Sequence, residues 1–141
     1  MPITISEADD ILRLVFPEWV NELNLQVVGI EGDCVSIRMP SNSLILRTGG
    51  SIAGQASIAL SDTAMVIALA NSLGEFRPVG TVDLGFSFLR PLNKGDIVCE
   101  ASVMRLGRSM AFCRAEIREQ GSDKLAVHAT GTYSVPPATL S

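Results

Sequence analysis

The chain has 141 residues, 47% of them hydrophobic and 18% charged, enough apolar material for one sizeable core and too much for a disordered segment. Its formal net charge of −4, with no basic tract, argues against nucleic acid as a partner. The first residues lack the basic and apolar regions of a secretory signal, and Cys34, Cys99 and Cys113, odd in number and set in apolar runs, read as reduced thiols in a cytoplasmic protein.

Taken in chain order, Ser6-Glu7-Ala8-Asp9 predicts a helix start with Ser6 as N-cap, and Pro17 ends that helix. Leu23 to Ile30 and Cys34 to Met39 flank Glu31-Gly32-Asp33 and predict a β-hairpin. Pro40 to Gly50 reads as a loop. Ser51 is then expected to cap a long apolar helix that stops near Gly74. Its length and composition suit a membrane span, but Gln55, Ser57, Ser61, Asp62, Thr63, Asn71 and Ser72 interrupt it, so a core helix wrapped by strands is expected and no membrane.

Four strands follow. In Pro78 to Leu89, Val82, Leu84, Phe86 and Phe88 alternate against Thr81, Asp83, Gly85 and Ser87. Ile97 to Leu106, Met110 to Arg118 and Leu125 to Val135 are set apart by Asn93-Lys94-Gly95-Asp96, Gly107-Arg108 and Gly121-Ser122-Asp123. Pro136-Pro137-Ala138-Thr139 reads as a frayed end. The expectation is one α+β domain over residues 1–141, a curved antiparallel sheet rolled around one helix, with its exposed edge covered by a second copy.

Asp62 stands out among the polar residues. It sits mid-helix among Ala59, Leu60, Ala64, Met65 and Val66, where a carboxylate is costly unless paired or used. It either works in a site or turns to a groove and neighbouring hydroxyls; the local pattern leaves both open. Gly54, about two turns earlier, lies where free N–H groups and the helix dipole could bind an oxyanion. His128, the only histidine, has no Gly-x-Ser-x-Gly elbow to serve, and no His, Cys, Asp or Glu set has metal-ligand spacing, so no metal is expected. Arg90, Arg105 and Arg108 fall at strand ends and in a turn, as phosphate ligands or as solvated tips.

The segments from Gly54 to Met65, Thr81 to Pro91, Arg105 to Ser109 and Lys124 to Tyr133, taken in order, resemble the hotdog-fold acyl-CoA thioesterases of the phenylacetate-degradation type. The resemblance covers about residues 20 to 135. It implies a six-stranded sheet around the long helix, and a homodimer, often paired into a homotetramer. It implies hydrolysis of acyl-CoA without a separate cofactor. It places the catalytic carboxylate at Asp62, the oxyanion N–H at Gly54 on the other subunit, and an orienting hydroxyl at Thr81. Arg90 and the segment Arg105, Gly107, Arg108 and Ser109 fall where that family lines its coenzyme A channel, and Asp83 and Arg47 join the substrate-binding candidates. The chain departs from the family in having Ala53-Gly54-Gln55 for His-Gly-Gly, so the role of the imidazole in holding the thioester is either absent or supplied by Gln55. Arg47 stands where some members carry Asn, with Asn42 the nearby loop asparagine. The alternatives are a hotdog dehydratase acting on acyl-CoA or acyl-carrier protein, and a non-catalytic acyl-CoA binder.

Overall fold

The computed structural model describes residues 2–93 and 95–138, so Lys94 of the predicted turn and Thr139 of the tail lie outside it. Thr4, rather than Ser6, caps the first helix, α1 (Ile5–Val15). The Thr4 hydroxyl accepts the Glu7 N–H at 3.1 Å, and the Glu7 carboxylate accepts the Thr4 N–H at 3.0 Å. That reciprocal pair satisfies two donors a helix start otherwise orphans, and Ser6 has no such partner three residues on. Pro17 then opens a second short helix, α2 (Glu18–Asn21), too brief for a 3.6-residue period to disclose. Asn24, at a φ of 55°, delays the hairpin, so β1 (Gln26–Glu31) begins later than Leu23 and pairs with β2 (Cys34–Met39).

The loop after β2 holds a 3-10 turn, Ser43–Ile45, and a bridge between Leu46 and Ile52. Ile52 N–H bonds Leu92 O and Ala53 N–H bonds Ile45 O, each at 2.8 Å. These bonds keep the chain extended through Ala53, so the long helix α3 (Gly54–Leu73) starts after the expected Ser51 cap, with Ala53 at the N-cap and no side-chain cap. Gly74, at a φ of +81°, ends it in the left-handed conformation.

β3 (Gly80–Phe88), β4 (Ile97–Leu106), β5 (Met110–Glu119) and β6 (Val127–Ser134) complete one antiparallel sheet in the order β1-β2-β4-β5-β6-β3. α3 lies across its inner face, in the α+β hotdog arrangement. Directly beneath the helix runs a cross-strand row of Val35, Ala101, Ala115, Ala129 and Phe86. The three alanines let the helix axis come close, while Leu60, Met65, Ile67 and Leu69 fill the space around it, fully buried. Each such side chain contributes about 1.5–3 kcal/mol of apolar burial. The helix is long and apolar enough to cross a bilayer, yet most of it is buried within the fold. Its buried Asn71 is satisfied, accepting Ile3 N–H at 3.1 Å and donating to Gly32 O at 2.9 Å. The strands β1 and β3 are the two free edges of the sheet, and β3 exposes Val82 and Phe88.

Candidate active site

The residues singled out from the sequence fall mainly into two groups at opposite ends of β3. At the Phe88 end, the uncapped start of α3 leaves its first backbone N–H groups, Gly54's among them, without intrahelical acceptors. A cavity of about 480 Å³ opens there, lined by Gly54, Ser57, Phe88, Leu92, Arg47 and Arg90 among others. Arg90 is anchored by its Nε, which donates to Leu125 O at 3.1 Å. Asn42 accepts the Leu44 N–H at 2.9 Å and so caps the 3-10 turn. Gln55 is exposed on the first turn of α3 and does not line the cavity.

At the Thr81 end stands Asp62, half-buried on α3. Its Oδ1 accepts a hydrogen bond of 2.7 Å from the phenol of Tyr133, a fully buried residue of β6. The phenol titrates well above the usual tyrosine range, first because it is buried and then because the Asp62 charge and hydrogen bond favour its neutral form. Thr81 registers with Tyr133 across the β3–β6 ladder. Strict alternation would put Thr81 on the face opposite Leu84 and Phe86. A bulge between Thr81 and Asp83 shifts the register, so Thr81 shares the inner face with Tyr133 and Leu84.

Asp83, past the bulge, faces outward as simple alternation predicts, in register with Thr132. A second bulge, between Val103 and Arg105, sets Arg105 opposite Phe112 in the same outer row. Arg105 and Asp83 therefore share the outer face, away from α3. The turn Gly107-Arg108-Ser109 closes one position beyond the Tyr133 row, with Gly107 N–H on Met110 O and Val135 N–H on Ser109 O, both at 2.8 Å. Arg108 is exposed at its tip. His128 lies between Ser87 and Glu116 in the outer row, on the face opposite Asp62.

Tyr133 went unread in the sequence as a site residue. Its signal was available: a phenol two positions after Gly131, at an inward position of the last strand, needs a buried acceptor. A larger hollow of about 610 Å³ between α1, α2 and β1 is lined by none of the candidate catalytic or substrate-binding residues.

Residues 49–126, which carry Gly54, Asp62 and Thr81 but stop short of Tyr133, match the thioesterase superfamily. The chain belongs to that superfamily. It is 31% identical over 103 residues to a candidate esterase of Thermoplasma volcanium, spanning 73% of this chain and 75% of that one. Its fold is that of a Haemophilus influenzae thioesterase, at a TM-score of 0.83 and 24% identity over 96% of this chain and 92% of the other. A phenylacetic acid degradation protein of Thermus thermophilus superposes at a TM-score of 0.74, with 23% identity over 85% of this chain and 100% of its own. Thioester hydrolysis is the chemistry this superfamily assigns to the chain.

Proposed function

We propose that this thioesterase hydrolyses acyl-CoA thioesters to the free acid and coenzyme A, with Asp62 as the reacting carboxylate and the Gly54 N–H as oxyanion donor. The observation that carries the reading is Asp62 itself, a carboxylate on a core helix with one oxygen held by Tyr133, one strand in from an open sheet edge. The carbonyl oxygen of the thioester takes the hydrogen bond from Gly54. Water attacks the carbonyl carbon as Asp62 takes its proton, the C–S bond breaks, and the proton passes to the departing thiolate. Alternatively, Asp62 attacks first, expelling the thiolate, and water opens the resulting anhydride; label found in Asp62 after single-turnover hydrolysis in ¹⁸O-water identifies this second route with water attacking the Asp62 carbonyl carbon.

Both groups must come within about 3 Å of one carbonyl. Along α3 the eight residues from Gly54 to Asp62 span about 12 Å. Along β3 the seven steps from Thr81 to Phe88 span about 23 Å. A single chain therefore holds its two groups too far apart. Two copies that pair their β3 edges antiparallel bring the Gly54 end of one to the Asp62 end of the other, and they cover Val82 and Phe88. We read the protein as a homodimer for this reason, with a homotetramer as a further assembly. The arginines suit the coenzyme A phosphates: Arg47 and Arg90 from one copy, Arg108 from the other.

The reaction needs no cofactor beyond the coenzyme A of the substrate, and the three free thiols suit a cytoplasmic setting. A dehydratase would need a histidine beside the acid, and His128 is on the wrong face. Thiol release from a panel of acyl-CoAs, followed with a thiol reagent, tests the reading. Release supports it; tight binding without release makes the protein a binder. Sedimentation that shows an active monomer at micromolar concentration overturns the shared site.

A further inference from the structure

The structure assigns Tyr133 as a positioning residue: its phenol holds Oδ1 of Asp62, so that Oδ2 is the oxygen presented to the substrate. The assignment rests on the reading of Asp62 as the reacting carboxylate. Four features support it. The contact is short, 2.7 Å, and a carboxylate can only accept, so the phenol donates. Tyr133 is fully buried within its cross-strand row, between Thr81 and Ala111, while the other inward residues of that strand, Val127, Ala129 and Gly131, have no polar side chain. Burial and the neighbouring charge keep the phenol protonated, so it remains a donor wherever the carboxylate is ionised.

The fourth feature is the space left for the ring. A Cβ at Gly131 would stand 2.9 Å from Tyr133 Cε2 and 3.0 Å from the terminal methyl of Met65. Gly131 is therefore the gap over which the ring leans toward α3, and Met65, three residues after Asp62, closes the other side. Ring, glycine and methionine fix the phenol, and the phenol fixes the carboxylate. A buried phenol needs an acceptor, and the gap at Gly131 leaves the ring room to reach Asp62 for it.

Tyr133→Phe keeps the ring and removes the donor. With a short acyl-CoA as substrate, kcat is expected to fall about tenfold to a hundredfold with KM nearly unchanged, as for loss of a hydrogen bond to a charged group that acts on the chemical step. In an Asp62→Asn background the same change should cost nothing further, because no carboxylate remains to be held. A kcat within about threefold of wild type, or an equal fall in both backgrounds, overturns the assignment. Retention of full activity by Asp62→Asn alone defeats the Asp62 reading instead, which keeps the two failures distinct. Should Tyr133→Phe not fold, a second probe exists, because the chain has a single tyrosine. Growth on 3,5-difluorotyrosine alters Tyr133 alone; the more acidic phenol donates more strongly and draws charge from the carboxylate. A lowered kcat at unchanged KM supports positioning, and unaltered kinetics overturn it.

Discussion

At the Phe88 end of β3 the chain surrounds space; at the Thr81 end it fills it. The first end offers a cavity of about 480 Å³, an uncapped helix start and two arginines at its rim. The second offers one half-buried carboxylate, tied at 2.7 Å to a buried phenol, beside a tight turn. Binding requires room and donors aimed outward, whereas proton transfer or attack requires a carboxylate that does not wander. Under the proposed function, one chain divides these tasks and two copies reunite them.

The largest effect should come from the Thr81 end. Asp62→Asn keeps the shape but can neither take a proton nor attack, so kcat for acyl-CoA should fall by about 10² to 10⁴ with fold and dimer intact. Steady-state thiol release checks this, and a kcat within about tenfold of wild type refutes the assignment.

Gly54→Pro breaks the other end. Proline is tolerated at the first helical position, and Ala53 before it is already extended, with a ψ of 140°. The substitution deletes the N–H while sparing the helix, and kcat should drop by roughly 10² to 10³. Mixing the two inactive variants under subunit exchange is the sharper measurement. Random pairing gives mixed dimers with one intact site each, so about a quarter of wild-type activity should return. Two complete sites within single chains would give no recovery.

Arg108→Ala should act on grip rather than on chemistry, raising KM for coenzyme A thioesters about tenfold, the cost of one charge-assisted contact. Short thioesters without the nucleotide should be hardly affected. Equal effects on both substrates would remove Arg108 from the phosphate site.

The smallest effect at neutral pH belongs to the core shared by both ends. Burial pushes the Cys99 and Cys113 thiols from 9.0 up to about 12, and raises Tyr133 as well. Raised values mean that the fold favours the protonated forms. Their contribution to stability is complete below pH 9 and is lost as pH climbs toward 12. Urea midpoints should therefore be flat through neutrality and decline above pH 9. A midpoint that rises across that range would contradict the burial of these groups.

Much of the architecture was legible because it rests on local rules. The apolar run before Gly74 could only be an enclosed helix, and the alternating runs after Pro78 could only be strands. Asp62 was conspicuous as a charge among methyl groups, and Gly54 as a residue at a helix start. The resemblance of four ordered segments gave the family.

Other features depended on atoms far apart in the chain. Thr4 displaced Ser6 as cap because Glu7 could reciprocate, and Ser51 lost its place to hydrogen bonds that Ile52 and Ala53 donate to the Leu92 and Ile45 carbonyls. The bulges that turned Thr81 inward and Arg105 outward each add one residue to a ladder, and alternation within a single strand carries no record of its partner's register. Tyr133 and Asp62 stand 71 positions apart and meet only because β6 passes beneath α3. Residue type and spacing determined that this chain would enclose a helix bearing a carboxylate. Strand register alone decided which hydroxyl would hold it, since a shift of one residue sends a side chain to the other face.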